Sequence, residues 1–196
     1  MTGRSSVNTA KTSDCLRDHF LPAMPSMSEG IFSQSITYIC EHGESGAMGI
    51  VINQPLELSV AEIFEHLEIT TLQDFSNVPV MAGGPVQMDH GFVLHRNCTA
   101  SWESSIKVTA EITLTTSCDI LRAIAKNTGP TDHLIALGYA GWAAGQLEQE
   151  LTDNSWLTLP ANSDIIFGTA PQQRLNAAAS LLGIDMNLIS GEAGHA

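Results

Sequence analysis

Short apolar runs separated by turn residues dominate the first half of the chain. Residues 36–41 (ITYICE) are rich in β-branched and aromatic side chains, and residues 47–53 (AMGIVIN) are almost wholly apolar. The segment 43–46 (GESG) between them has the composition of a tight turn. Two such runs joined by a short glycine-containing turn are typical of paired strands. The pattern therefore predicts a β-hairpin.

The rest of the chain mixes short strands with helices. Seven further segments have the composition of strands: residues 78–82, 91–95, 106–108, 112–115, 133–139, 156–159 and 165–167. Four helices are predicted: one after the capping box Ser59-Val60-Ala61-Glu62, one from Thr116 or Ser117, one over residues 145–153, and one from Pro171 to Gly183. Because strands and helices do not alternate regularly, the order favours an α+β fold over a doubly wound parallel sheet.

Nothing along the chain divides it into separate domains. Residues 1–14 are polar and lack the apolar stretch of a secretory signal, so we predict a disordered lead-in there. Residues 15–190 are predicted to form one domain, and residues 191–196 a loose tail. A chain of 196 residues is long enough to bury a core without disulfides or metals.

Charge and cysteine content limit the possible functions. Eight Lys and Arg residues against 21 Asp and Glu residues give a net charge of −13, and only Arg122 and Lys126 could share a helix face. Nucleic-acid binding needs a track of cations, so the sequence argues against direct DNA binding. There is no run of 18 apolar residues, and hence no predicted membrane span. Four scattered cysteines without a C-x-x-C pair predict reduced thiols and a cytoplasmic location.

A glycine-rich run at residues 138–150 (GYAGWAAGQLEQE) joins a predicted strand to a predicted helix. Free backbone amides at such a junction can bind a ligand, which makes Tyr139, Gly141 and Trp142 candidate binding residues. The spacing fits neither a dinucleotide-binding glycine motif nor a P-loop, and Glu148 in the first helical turn would repel an anion. The alternative, which we favour, is that the small residues let the helix pack closely on its strand with Trp142 as an anchor.

Cys40, His42 and His95 are the candidate reactive residues. Cys40 and His42 share a strand face if the strand is regular, but their Cβ atoms would stand roughly 6.5–7 Å apart. A nucleophile–base pair would therefore need His95 from a neighbouring strand. The simpler interpretation places Cys40 in a sheet core and His42 at a strand end, since free cysteine is commonly buried.

No catalytic residue, metal site or cofactor follows from these groups. Glu148 and Glu150 would point about 200° apart on a helix, so they do not form a paired acid and base. His42, Asp89, His90 and His95 lack the spacing of metal ligands.

Several separate motifs, in one order along the chain, resemble the AlgH-like (YqgE/AlgH) family of bacterial proteins. They are residues 23–27 (AMPSM), 38–42 (YICEH), 46–53 (GAMGIVIN), 83–86 (GGPV), 91–95 (GFVLH), 114–117 (LTTS), 192–196 (EAGHA) and the glycine-rich run. The resemblance implies a cytosolic protein with an α+β fold, in which a branched, mostly antiparallel sheet curls into a pseudo-barrel with flanking helices. The family name reflects a proposed link to transcriptional control of alginate synthesis. The resemblance supplies no catalytic residue.

Three functions are compatible with these observations. The best supported is a non-catalytic binding or accessory module that acts through a protein partner or a small ligand. The second is a transcription-linked regulator that acts indirectly, and the third is an enzyme that uses Cys40, His42 and His95. The surface around residues 139–150 and the turn after His42 is the predicted functional region, and self-association remains open.

Overall fold

The computed structural model describes residues 15–183 of the chain. The predicted lead-in of residues 1–14 and the predicted tail of residues 191–196 lie outside this range. The strands are β1 (His19–Pro22), β2 (Ile36–Gly43), β3 (Gly46–Val51), β4 (Pro55–Ser59), β5 (Pro79–Ala82), β6 (Val86–Arg96), β7 (Ser105–Lys107), β8 (Ile112–Thr115), β9 (His133–Ala143) and β10 (Leu159–Pro160). The helices are α1 (Val60–His66), α2 (Cys118–Ala125), α3 (Gln146–Thr152), α4 (Ser163–Gly168) and α5 (Pro171–Ser180), with a 3-10 turn at Gly30–Phe32.

The strands form one branched sheet around β9. The main path runs β10-β1-β2-β3-β9-β6-β8-β7, and every neighbouring pair along it is antiparallel. The branch consists of β4 and β5, and β5 joins β9 in the parallel register Met81↔Ala136 and Ala82↔Leu137. The predicted α+β class with a branched, mostly antiparallel sheet is confirmed.

The sheet curls until strands far apart in its order meet. Arg17, just before β1, donates a hydrogen bond to the Lys107 carbonyl oxygen on β7. This contact joins regions near opposite ends of the strand order, as expected for a sheet that curls into a half-barrel. Its concave side holds the largest core cluster, whose fully buried members include Phe20, Tyr38, Ile50, Leu94 and Leu114, and Ile165, Ile166 and Ala178 of α4 and α5 also pack into this cluster.

Helices cover the convex side of the half-barrel in two places. Phe64 of α1 packs with Ile120 and Ile124 of α2 against Val93 and Ile135 of the sheet. Leu147 of α3 packs against a second region of the sheet, which contributes Leu21, Ile39, Ala140 and Trp142. The apolar stripes predicted for these helices therefore face the sheet, as amphipathic helices require.

The glycines of the GGPV motif let the chain cross over β9. Strand β5 pairs with one edge of β9 and β6 pairs with the other, so residues 83–85 must pass across it. A Cβ at Gly84 would overlap the Tyr139 carbonyl group, and one at Gly83 would overlap the Gly138 carbonyl oxygen. Backbone can lie this close to backbone only where side chains are absent.

Several strand predictions differ from the structure, and the strand predicted at residues 91–95 begins five residues earlier, at Val86 of β6. Residues 165–167 were predicted as a strand, but they lie in α4, so that prediction is wrong. A three-residue apolar run does not distinguish a strand from a buried helix, and the Asn162 side chain accepts the Asp164 N–H to cap a helix there. Residues 156–159 form only an isolated bridge at Trp156 and the start of β10. Strand β9 continues four residues beyond the predicted end, to Ala143.

Candidate functional site

One end of the half-barrel is open and forms a cleft of about 830 Å³, here called the mouth cleft. It lies between the β2–β3 hairpin on one side and β6, β8 and β9 on the other. Its apolar lining consists mainly of Met48, Phe92, Ile106, Leu114 and Tyr139, and Gly141 and Trp142 lie along one wall. Arg17, Glu41, His42, Gln87 and Thr116 also line it. The surface of the cleft is thus about equally polar and apolar.

An aromatic pair forms the centre of the cleft lining. The rings of Tyr139 and Phe92 meet edge to face, with centroids 5.5 Å apart. A Cβ at Gly141 would come within 3.1 Å of the Tyr139 ring, so the glycine makes room for the ring. Gly138 has φ 72°, which interrupts the strand alternation and turns Tyr139 towards the same interior as Ala136. The glycine-rich run therefore positions Tyr139 in the cleft.

A β-bulge separates Cys40 from His42. The register moves from Ile39↔Gly49 to Glu41↔Met48, which leaves Cys40 as the extra residue. Cys40 is fully buried in the barrel core, and burial raises the pKa of its thiol above the ordinary value. Because of the bulge, His42 points to the opposite, convex side and contacts α3. The two side chains therefore do not share a face.

Both ring nitrogens of His42 are occupied. Nδ1 accepts a hydrogen bond from the Leu16 backbone N–H at 3.0 Å, and Nε2 lies 2.9 Å from Glu148 Oε1. A backbone N–H can only donate, so Nδ1 carries no proton and the neutral ring donates from Nε2 to Glu148. The ring is also almost completely buried, with 3% of the side chain exposed. It has no nitrogen free to accept a proton from a nucleophile.

His95 lies in a different hydrogen-bond network. Its Nδ1 donates to the Arg96 carbonyl oxygen at 2.9 Å, and its Nε2 accepts from the Thr115 hydroxyl at 2.9 Å. Burial lowers the pKa of His95, and across β6 and β9 it is paired with His133. The structure thus brings His42, Tyr139, Gly141 and Trp142 to the mouth cleft. Cys40 and His95 do not line it.

The two glutamates of α3 hold the helix on the sheet. Glu148 contacts His42, whereas one oxygen of Glu150 accepts both the Trp142 and the Trp156 indole N–H, each at 2.8 Å. The predicted divergence of the two carboxylates is confirmed. Helix α3 has seven residues and begins after Gly145, whose φ of 76° is left-handed. The packing interpretation of the glycine-rich run, with Trp142 as an anchor, fits this geometry.

Comparison with known proteins identifies the family. The AlgH-like family model matches residues 20–187. The chain belongs to the AlgH-like family. It is 55% identical to a UPF0301 protein of Thioalkalivibrio sulfidiphilus over 179 residues, which are 91% of this chain and 96% of the relative. It is also 55% identical to a UPF0301 protein of Saccharophagus degradans, with 92% of this chain and 89% of the relative covered.

Two solved structures share the fold of this AlgH-like chain. The solution structure of AlgH from Pseudomonas aeruginosa matches with a TM-score of 0.76 and 47% identity, over 100% of both chains. A crystal structure from Corynebacterium diphtheriae matches with a TM-score of 0.69 over 90% of this chain and 92% of that one. At 19% identity, the second match shows the fold alone.

Two arginines of the AlgH-like chain are held within the fold. Arg96 lies between Glu111, Asp132 and Asp164, with its shortest ion pair to Asp164 at 2.5 Å. Arg174 is buried, donates to the Ile52 and Thr169 carbonyl oxygens, and has its pKa lowered to about 10 by burial. Within residues 15–183, no three His, Cys, Asp or Glu side chains form a group that could hold a metal ion.

Some residues that line the cleft are not among the binding residues predicted from the sequence. Met48 and Phe92 lie in matched motifs, and strand alternation could have placed Met48 on the same face as Ile50. Glu41 also lies in a matched motif, whereas Arg17 carries no such signal, because only the curl of the sheet brings it to the cleft. None of the helices in the described range is long and apolar enough to cross a membrane.

Proposed function

We propose that this protein is a non-catalytic binding module whose ligand, a small molecule or a segment of a partner protein, occupies the mouth cleft. The cleft itself carries the proposal. Its volume of about 830 Å³ falls in the range of ligand sites, roughly 300–1,000 Å³. Its aromatic pair, with charged and polar side chains beside it, offers both apolar and hydrogen-bonding contacts to a ligand.

The state of the candidate reactive groups favours binding over catalysis. Cys40 is fully buried with a raised thiol pKa, and a protonated thiol is a poor nucleophile. His42 has both nitrogens hydrogen-bonded. We expect iodoacetamide to alkylate the exposed Cys98 in the native protein and to leave Cys40 unmodified, as mass spectrometry of the peptides would report. Rapid native alkylation of Cys40 would instead favour a Cys/His enzyme.

The cations support a role through protein partners rather than DNA. Of the six Lys and Arg residues in the described range, Arg96 contacts carboxylates and Arg174 is buried. Few cations therefore remain on the surface to neutralise phosphates. We therefore propose that any regulatory role in transcription is indirect. The protein would act in the cytoplasm, through a protein partner rather than through DNA. A gel-shift experiment at low salt should show no DNA binding, and salt-sensitive binding there would contradict this part of the proposal.

Native mass spectrometry tests the main proposal. The untagged protein, purified gently from its own cells, should carry extra mass from a bound molecule or partner, and the spectrum also reports self-association. Tyr139→Ala removes the ring at the centre of the cleft and should reduce the bound fraction at least tenfold. Leu72→Ala, at a side chain that is 70% exposed and outside the cleft lining, is the control and should leave it unchanged.

A second cleft variant distinguishes loss of binding from loss of folding. Ile106 lines the cleft but is 37% exposed, so Ile106→Glu should fold normally while it places a charge against the apolar lining. We expect it to reduce occupancy as Tyr139→Ala does. Bound mass that survives both substitutions would refute the mouth cleft as the binding site, and so would a protein from its own cells without any bound mass.

A further inference from the structure

One edge of β9 has no strand partner where it passes the mouth cleft. Pairing with β6 ends at Val86↔Tyr139, but β9 continues to Ala143. On its other edge, the same four residues pair with β3, from Gly49↔Ala140 to Gly46↔Ala143. Among residues 15–183, the end of β9 is therefore paired on one side only, and its free side lies along the cleft wall that Gly141 and Trp142 form.

The hydrogen-bonding pattern shows which backbone groups face this free edge. The two-residue turn pairs Gly43 with Gly46, so the backbone groups of Gly46 and Met48 point to β2, and those of Ala47 and Gly49 point to β9. Their partners Trp142 and Ala140 then use their groups towards β3. The N–H and C=O of Gly141 must consequently point the other way, to the free edge.

A side-chain contact supports this assignment. The Ala143 N–H, two residues further along, donates to Gln146 Oε1 at 3.0 Å and so does not point to β3. In a strand, residues two apart direct their backbone groups to the same edge. Gly141 thus presents a donor and an acceptor side by side, and it has no side chain to cover them.

From this edge we infer that the mouth cleft binds an extended peptide segment of a partner protein, which adds to β9 as a strand and pairs with Gly141. The inference rests on the proposed function, because it names the ligand of the same cleft. An exposed strand edge is satisfied by a second extended chain, whose backbone supplies the matching N–H and C=O. Strand β6 occupies this edge of β9 as far as the pair Val86 and Tyr139, and the peptide pairs with the part of β9 that follows Tyr139.

The geometry also specifies the side chains of the peptide. The peptide residue opposite Gly141 places its side chain on the same sheet face, next to the Tyr139 and Phe92 rings. The missing side chain at Gly141 leaves space for it, so a large apolar or aromatic residue fits this position. On the hairpin side, Glu41 lines the cleft and is in no ion pair within the described range, whereas Arg17 of the lining donates to the Lys107 carbonyl oxygen. The carboxylate of Glu41 favours Lys or Arg beside that apolar residue.

A peptide selection with a backbone-modified control tests the inference. A phage library of random twelve-residue peptides is selected on the full-length protein, and recovered peptides that Ile106→Glu no longer binds are synthesised. We expect a large apolar residue flanked by Lys or Arg. In ¹⁵N-labelled protein, the peptide should slow hydrogen exchange at the Gly141 amide at least tenfold. N-methylation of the peptide residue opposite Gly141 should weaken binding about tenfold, since it removes one hydrogen bond.

The outcomes separate this inference from the proposed function. If the N-methylated peptide binds as well as its parent and the Gly141 amide stays unprotected, strand addition is wrong and the cleft remains a ligand site. If no peptide depends on the cleft while a small molecule is found bound there, only the peptide inference fails. Protection of Gly141 that rises with protein concentration without peptide would assign the edge to a second copy and overturn the inference. Absence of both peptide and small-molecule binding would overturn both proposals.

Discussion

Glu150 should contribute strongly to stability because one of its oxygens serves two tryptophans. Oε2 accepts the indole N–H of Trp142 and of Trp156, each at 2.8 Å, and Oε1 accepts the Gln146 side-chain amide at 2.9 Å. The two indoles pack edge to face with centroids 5.9 Å apart. Substitution Glu150→Ala removes the acceptor of both indoles at once.

The expected cost follows from the burial of the two rings. Trp142 is 6% and Trp156 4% exposed, so neither N–H can easily turn to water once the carboxylate is gone. Hydrogen bonds to a charged group contribute about 1.5–3 kcal/mol each. Because Glu150 is only half-buried and the two bonds share one oxygen, we expect a total loss of about 3 kcal/mol. For a domain of this size, that lowers Tm by roughly 6–12 °C.

Urea unfolding followed by tryptophan fluorescence measures this loss. Glu150→Gln retains one amide oxygen as an acceptor and should lose about half as much as Glu150→Ala. Glu65→Ala, at an exposed glutamate on α1, is the matched control and should change stability by less than about 0.5 kcal/mol. The native emission spectrum should also change in Glu150→Ala, because the carboxylate contacts two of the three tryptophans.

A double-mutant cycle decides whether the shared carboxylate is the cause. Glu150→Ala and Trp156→Phe should show a coupling free energy of about 1 kcal/mol or more, since each removes the same hydrogen bond. Purely additive effects, or a loss below about 0.5 kcal/mol for Glu150→Ala, would refute the reasoning. Helix α3 would then be held mainly by the packing of Leu147.

Two further predictions concern the crossing over β9 and the buried histidines. Gly84→Ala should destabilise the fold by about 3 kcal/mol or more, because its Cβ would overlap the Tyr139 carbonyl; Gly91→Ala, with nothing within 4 Å of its Cβ, should be nearly neutral in the same urea titration, and equal effects would contradict the crossing. Burial lowers the pKa of His95 and His133 below the ordinary 6.5, so the unfolded chain binds protons more readily and the free energy of unfolding should fall as pH drops below about 6.5. His133→Gln should flatten this decline between pH 7.5 and 5, and an unchanged slope would argue against it.

The elements with local signals could be predicted from the sequence. The hairpin follows from two apolar runs around a two-residue turn, and the structure places it at β2 and β3. The capping box is also present, with Ser59 Oγ accepting the Glu62 N–H and Glu62 Oε2 accepting the Ser59 N–H. Both features form between residues that are close in the chain, so they do not depend on the tertiary structure of the rest of the protein.

The candidate site could be predicted only in part. The sequence predicts Tyr139, Gly141 and Trp142 as candidate binding residues at a strand-to-helix junction. In the structure they belong to the end of β9 and line the cleft at the free edge of that strand. His42 also lines the cleft, but the bulge at Cys40 directs its ring to α3. A bulge shifts every later side chain to the other face, and no local pattern in ITYICE marks where it occurs.

The hairpin, the capping box, the acidic charge and, through the motifs, the family are all predicted from the sequence. Tertiary structure alone decided the helical state of residues 165–167, the passage of Gly84 over β9 and the unpaired edge at Gly141. The physical reason is the range of the interactions. Turns and caps are satisfied within a few residues, whereas a strand edge is open or paired according to segments more than fifty residues away, such as Val86 and Tyr139.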